Sequence, residues 1–330
     1  MLRRRLLLSV APAWTLLSCS RRQPPAKRIP LRVALSPHLT MSPFYTGYEA
    51  GYFNEAGLDV QLSKELPNVQ SIPLLASGKL DVGFPGLTPG LINAVAKGAR
   101  IRLVAGRQVI SRSCDTRGGI FVRRSDFPNG IPDMRQLRHR RIAITSSGTF
   151  GLFCLDKLLA PAGMTRADVE VHPTSPNERI AALRAGAVDA ILTAESDLNP
   201  MLSAFQLAPG PSLVDVLPNF QYSFIAFGSG LLDGDVHTGA TFLRAYLHGA
   251  RDFLSGKTPT FLYDFAKSNN LDPQLVRKTC RDSFEHDGRL HLQDLQSCID
   301  WSAVNGYIPR SMDARNLVDT RFLDELGRTA

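Results

Sequence analysis

Apolar runs and polar turns follow one another in this chain in an order that occurs twice. LRVALS (31–36) alternates as a strand does. SPFYTGYEAGYFNEAG (42–57) then sets Phe44, Tyr48 and Tyr52 at i, i+4 and i+8, a helical stripe that ends at Gly57. LDVQLS (58–63) predicts a second strand, and SIPLLASGK (71–79) a short helix stopped by Gly78. DVGFPG (81–86) is a third strand running into a turn, TPGLINAVAKGA (88–99) a helix opened by Thr88 and Pro89, and IRLVAGR (101–107) a fourth strand.

The order then starts again. RRIAITSSG (140–148) is a strand leading into small polar residues, and FGLFCLDKLLAPAG (150–163) a helix ending at a glycine. ADVEVHP (167–173), the glycine-stopped NERIAALRAG (177–186) and AVDAILTA (187–194) repeat the strand, helix and strand that follow. Gly78 and Gly186 stand 108 residues apart (186 minus 78), each with an aspartate three positions on. Two β-α-β-α-β units predict an α/β protein of two lobes, each a sheet covered by helices, joined by a crossing segment near 108–119. NFQYSFIAFGSG (219–230) is a strand crossing back to the first lobe. VHTGATFLRAYLHGARDFL (236–254) is an amphipathic helix that opens a helical C-terminal extension. The expected boundaries are 30–112 with 218–330 for lobe one and its C-terminal helices, and 113–217 for lobe two.

In open α/β sheets ligands gather at the carboxyl ends of the strands, and the two halves turn those ends towards one another. Lobe one offers Ser36, His38 and Thr40 after its first strand, and Pro85, Gly86 and Thr88 after its third; Gly86 lets backbone approach a ligand closely. Phe44 and Tyr45 are candidates to stack on a flat ligand, although Phe44 also belongs to the helical stripe and so to a core. Lobe two offers Ser146, Ser147, Gly148 and Thr149, where free N–H groups and hydroxyls at a helix start attract an anion, or where Ser147 or Thr149 simply caps the helix. Thr193 and Glu195 end its third strand, the carboxylate suiting an amine or a ring N–H or else lying on the surface. Tyr222 on the returning strand faces the cleft. Arg107, Arg112 and Arg117 flank the crossover, as anion anchors or as hinge-surface residues.

Composition narrows the class. The formal charge of +8 invites a nucleic-acid reading, but Arg3, Arg4 and Arg5 belong to a leader, which leaves +5. RQLRHRR (135–141) lacks the interleaved aromatics of a nucleic-acid surface, so no nucleic-acid partner is expected. Residues 1–18 combine three arginines with an apolar run of about 12 residues, too short to span a bilayer. Leu16-Leu17-Ser18-Cys19 resembles the lipobox of bacterial lipoproteins, which makes Cys19 the lipidation site and 19–29 a polar, proline-bearing tether. The expected location is extracytoplasmic, periplasm or cell surface, lipid-anchored to a membrane. Cys114, Cys154, Cys280 and Cys298 match no zinc spacing; Cys280 and Cys298, on what read as successive helices, are the expected pair if a disulfide forms. No metal and no cofactor is expected.

GYFNEAGLDVQL (51–62), the helix leading to DVGF, GGIFVRRSDFPNGIPDMRQLRHRRIAI (118–144) and NLVDTRFLDELG (316–327) resemble the periplasmic solute-binding proteins of sulfonate, taurine and nitrate importers, a superfamily that includes binders of thiamine pyrimidine precursors. The resemblance is collinear over about residues 30–327. It implies a two-lobed type II periplasmic binding protein fold, no catalysis, a monomer, a small-molecule solute held between the lobes, and ABC permease and ATPase partners. Where relatives often carry proline or a Trp-Glu-Pro run, this chain has Thr193-Ala194-Glu195-Ser196, which leaves the solute open between a sulfonate-like anion and a pyrimidine-like heterocycle. Two alternatives use the same scaffold. One is a ligand-sensing lipoprotein, and the other a pyrimidine-synthase-like enzyme, against which stand the lack of clustered cysteines and of a lysine in the strand-end loops.

Overall fold

The structure is a computed structural model that describes residues 28–35, 38–64, 68–113, 118–145, 149–174, 176–193, 205–268, 272–277 and 281–328. The leader, nearly all of the tether, Cys19 and Cys280 lie outside the described residues. No described helix is long and apolar enough to cross a membrane.

The strands are β1 (Ile29–Leu35), β2 (Leu58–Lys64), β3 (Val82–Gly83), β4 (Arg102–Val109), β5 (Gly119–Arg123), β6 (Arg141–Thr145), β7 (Glu170–Thr174), β8 (Ala190–Thr193), β9 (Leu207–Ser212) and β10 (Gln221–Phe227). The α-helices are α1 (Ser42–Glu49), α2 (Tyr52–Glu55), α3 (Asn68–Ala76), α4 (Pro89–Ala96), α5 (Thr149–Leu159), α6 (Pro176–Arg184), α7 (Leu213–Val216), α8 (Ser229–Leu232), α9 (Val236–Leu254), α10 (Thr260–Ser268), α11 (Pro273–Val276), α12 (Leu292–Val304) and α13 (Arg321–Arg328). They build two five-stranded sheets, ordered β2-β1-β3-β10-β4 and β7-β6-β8-β5-β9. In each sheet the fourth strand is antiparallel to its neighbours and is the first strand after a crossover, β10 in the first sheet and β5 in the second. The halves exchange a strand position by the same rule.

The repeat extends to individual hydrogen bonds. In the first half the Arg32 amide and Nε donate to Asp81 Oδ2 at 2.8 and 2.9 Å, and a terminal guanidinium nitrogen donates to Asp81 Oδ1 at 2.8 Å and to the Gly78 carbonyl at 2.7 Å. In the second half Arg141 repeats all four bonds, to Asp189 Oδ2 at 2.9 and 3.1 Å, to Asp189 Oδ1 at 3.0 Å and to the Gly186 carbonyl at 3.0 Å. The aspartate amides return the contact, to the Arg32 and Arg141 carbonyls at 2.9 and 2.8 Å. Gly78 and Gly186 have φ of 68° and 75°, a left-handed turn that glycine adopts without steric cost. The G-x-x-D spacing thus turns the chain out of a helix and clasps the next strand to the first.

Three apolar clusters fill the spaces. One lies between the first sheet and α1 and α9, around Val33, Phe44, Phe53, Val104, Phe227, Phe242 and Tyr246. A second runs through both lobes, from Leu91 and Ile92 of α4 past Ile110 and Phe220 at the crossovers to Phe153 and Leu158 of α5 and Leu295 and Ile299 of α12. The third joins Phe261 and Leu262 of α10 to Ala143, Leu183 and Ile191 of the second half.

Three sequence expectations change. The helix over 42–57 is two pieces, because Gly51 takes φ 84° between α1 and α2. The third strand is only two residues long. β5 and β9 are additions: β5 is buried nearly throughout and so carries no alternation, and β9, LAPGPS, holds two prolines at the sheet edge, where a missing N–H costs no ladder bond.

Arg141 holds the Asp189 carboxyl below its usual range, chiefly by side-chain hydrogen bonding. A depressed carboxylate contributes stability that is present above its unfolded pKa, near 3.8, and is lost as pH falls through the lower folded value. Asp189→Asn is expected to lower unfolding free energy at pH 7 by about 2 kcal/mol. The deficit should shrink below about pH 4; urea titrations at neutral and acid pH read both, and an equal deficit at both would show that the clasp does not titrate.

Candidate functional site

Strand-end turns of the first lobe and the first turn of α5 meet at the crossover. β10 sets Tyr222 between Gln221 and Ser223; the Ser223 backbone bridges Gly86, and the Phe224 amide donates to the Pro85 carbonyl at 3.1 Å. A Cβ at Gly86 would stand 3.5 Å from the Tyr222 carbonyl, so backbone packs on backbone here. From the other lobe Phe150 lays its ring on Tyr222, centroids 5.6 Å apart and planes 11° from parallel. Phe150 also stacks on Phe153 and Phe220, at 6.0 Å each, and Phe153 meets Trp301 of α12 edge-on at 5.8 Å. Phe150 and Tyr222 are half-buried, so this aromatic wall spans both lobes with part of its surface still open.

The first-lobe turn is braced from below. Arg107 is 2% exposed. Its guanidinium donates to the Thr40 carbonyl at 2.7 Å, lies 5.1 Å from the centre of the Phe84 ring and hydrogen-bonds Tyr246. Burial pushes the Tyr246 hydroxyl up to about 12 against the opposing pull of Arg107. Arg107 is therefore no hinge-surface residue; it is a cation buried under the 38–41 turn. Arg112 is exposed on a turn, and Arg117 lies outside the described residues.

The other candidates separate clearly. Thr40 and His38 are half-buried in the braced turn, and the His38 carbonyl accepts from the Met41 amide at 2.9 Å. Pro85, Gly86 and Tyr222 come together, with Phe150 the partner that sequence reasoning missed. Thr88 Oγ1 accepts from the Leu91 amide at 3.2 Å and caps α4. Thr193 is buried, with its backbone in register with Gly119 of β5. Phe44 leaves the site: it is fully buried, with Tyr45, Tyr48, Phe53 and Phe84 all within 5.9 Å by ring centroid. Tyr45 is claimed by the helical extension, its ring face to face with Phe261 at 3.9 Å and 7°, while Glu49 caps α10 by accepting from the Thr260 and Phe261 amides at 2.6 and 2.9 Å. Burial pushes the Tyr45 hydroxyl up to about 12. Ser36, Ser146, Ser147, Gly148 and Glu195 lie outside the described residues; Thr149 begins α5.

The returning crossover is tied to the extension by Gln221, which is 1% exposed. Its amide donates to Asp294 at 2.8 Å, its Nε2 to Glu285 at 3.2 Å and to the Arg289 carbonyl at 2.8 Å, and its Oε1 accepts from the His291 amide at 3.0 Å. Burial holds the Glu285 carboxyl above its usual range. Glu285, His286 and Asp287 bring ligand atoms within 4.8 Å of one another, on a surface where such groupings are common without an ion.

Arg107→Met is expected to destabilise the fold by about 2 kcal/mol, from the lost charged hydrogen bond and ring contact. Chemical denaturation measures this, and an unchanged midpoint would mean that the 38–41 turn needs no brace.

The description NMT1/THI5 like matches residues 39–255 of the chain. No curated protein matches it. Among solved structures, the alkanesulfonate-binding protein SsuA from Xanthomonas axonopodis pv. citri bound to MOPS aligns with a TM-score of 0.69 at 16% identity, over 89% of this chain and 99% of that one. The periplasmic nitrate-binding protein NrtA from Synechocystis PCC 6803 aligns at 0.72 and 12%, over 92% and 89%. The desulfurization enzyme DSZB aligns at 0.63 and 17%, over 92% and 100%. At these identities the likeness is one of fold, the two-lobed type II periplasmic binding protein fold.

Proposed function

The chain belongs to the NMT1/THI5-like family, and from that premise we propose that it is an extracytoplasmic solute-binding protein that captures a small organic molecule between its lobes for an ABC importer. The observation that carries this reading is the Phe150–Tyr222 stack, a half-buried aromatic wall formed jointly by both lobes beside the backbone approach at Gly86. A protein that closes on a solute needs a surface completed only when its halves come together, so that the ligand favours the closed state. The fold shared with SsuA and NrtA supports the same role.

The wall suits a ligand with a flat or apolar body. The turn after β6, if it receives the other end, suits an anionic or strongly accepting group at the start of α5. The solute is accordingly a sulfonate-like anion or a pyrimidine-like heterocycle. Cys19 carries the lipid anchor, residues up to 29 are the tether, and the protein acts as a monomer presenting its cargo to permease and ATPase subunits.

The desulfurization enzyme on this fold gives the catalytic alternative its standing. Against that alternative, burial pushes the thiols of Cys154 and Cys298 up, opposite to what an activated nucleophile requires.

Thermal shifts with alkanesulfonates, taurine, nitrate and hydroxymethyl- or formylamino-pyrimidines test the reading. Ligand at a hundred times its Kd adds about 2.7 kcal/mol to stability, so one class should raise the melting temperature clearly. Phe150→Ala and Tyr222→Ala should each weaken that binding roughly tenfold, the scale of one aromatic contact with its buried area. A panel without any shift would refute the ligand range, and variants that bind like the wild type would remove the wall from the site.

A further inference from the structure

Two buried cysteines lie on helices that pack against each other where the lobes meet. Cys154 is in the middle of α5 in the second lobe, Cys298 is in α12 of the helical extension, and both are buried in the cluster that runs through both lobes, at 1% and 6% exposure. Contacts of neighbouring residues bring the two helices together. Trp301 of α12 rests on the column of α5 formed by residues 153 and 156: its ring is edge-on to Phe153, and its Nε1 donates to Asp156 at 2.9 Å. Arg166 adds a bond to Asp156 at 3.0 Å and stands 5.8 Å from the Trp301 ring centre. Cys154 stands next to Phe153 on α5, Cys298 lies one turn before Trp301 on α12, and both thiols are buried in the same apolar cluster. The electrostatics agree, since Cys298 bears on the Cys154 thiol and Lys157 on the Cys298 thiol. The sequence offers Cys280 as the partner of Cys298 if a disulfide forms, and Cys280 lies outside the described residues; among the described residues the other cysteine is Cys154.

We propose that Cys154 and Cys298 are a disulfide-forming pair, which an external disulfide oxidises to latch the second lobe onto the helical extension of the first. One thiol loses its proton and its thiolate attacks the external disulfide RSSR, releasing one RSH and leaving a mixed disulfide. The second thiolate then attacks the protein sulfur, closing the Cys154–Cys298 bond and releasing the second RSH. Two electrons pass from the protein to the reagent, and an excess of reducing thiol reverses both steps. Both thiols are free in the structure. Burial keeps them protonated, so exchange waits for the interface between α5 and α12 to part, and its rate reports that motion. An oxidising extracytoplasmic location permits the bond in the cell, but the chemistry in vitro does not depend on the function proposed above.

The experiment incubates the full chain with oxidised glutathione, blocks remaining thiols with iodoacetamide in denaturant, digests with trypsin without reductant and reads the peptides by mass. The expected product joins peptide 142–157, which holds Cys154, to peptide 290–310, which holds Cys298. Melting temperature should rise on oxidation and return on reduction, and this reversible rise should vanish in Cys154→Ala and in Cys298→Ala. Conservative Cys→Ser variants cover the case in which an alanine variant fails to fold. Three results would overturn the proposal: both peptides fully alkylated after oxidation, peptide 290–310 joined instead to the Cys280 peptide 279–281, or the expected cross-link without any reductant-sensitive shift in melting.

Discussion

Each half of this protein hangs on one guanidinium–carboxylate clasp. Arg32 lies midway along β1 and Arg141 opens β6, each the second strand in the order of its sheet, and Asp81 and Asp189 stand just before the strand beside it. Four hydrogen bonds in each half, three to the carboxylate and one to the carbonyl of a left-handed glycine, fix the order of the strands. Both arginines keep a third or more of their side chains in water, so the ion pairing itself contributes modestly. The geometric part is larger: each aspartate is nearly buried and accepts from a strand amide as well as from the guanidinium, so removing it strands several donors at once. With Arg32 and Arg141 tied to the entries of β3 and β8, the strands run on to turns at their carboxyl ends. The candidate site is placed by contacts towards the other end of the strands.

That arrangement explains what could be read from the chain. Gly78 and Gly186 need a left-handed turn, Asp81 and Asp189 need a fixed spacing from it, and the strands beside them are buried on both faces; such local requirements leave marks in sequence. The duplication, the α/β class and most elements were legible for that reason. β5 and β9 were not. A strand such as GIFVR, antiparallel and inserted between two others after a crossover, has no period of its own, and its pairing depends on residues 68 to 93 positions away. LAPGPS reads as a turn by composition and is a strand only because an edge tolerates proline.

The site was legible by place and less so by side chain. Pro85, Gly86 and Tyr222 follow from where parallel strands end. Phe44 and Tyr45 did not belong with them, because a stripe on α1 does not reveal which face α9 and α10 will cover; Phe261, more than 200 residues on, decides it for Tyr45. Arg107 misled in the opposite way. A charged residue beside a crossover reads as surface, yet its stem and guanidinium fill the space among Phe84, Tyr246 and Thr40, where a ring face and a carbonyl replace the lost water. Phe150 carried no mark at all, since its role rests on a ring in the other lobe.

What joins the lobes bears on the opening proposed above. The two crossing segments hold each other by backbone, with the Ile110 amide donating to the Phe220 carbonyl and the Asn219 amide to the Ile110 carbonyl, both at 2.9 Å. Gln221 fastens the returning segment to α12 with every polar group satisfied. These bonds do not involve α5, so the proposed opening leaves them in place. The contacts of α5 with Tyr222, Phe220 and Trp301 are the ones it would separate. They are mostly apolar, so opening exposes rings to water at a cost proportional to their area, and closing without a ligand restores the rings to each other. A ligand that favours the closed state must add buried area to that stack. A bare inorganic ion adds little of it, whereas a molecule with a flat or apolar body covers the open part of the wall, and this favours the organic members of the proposed range over nitrate.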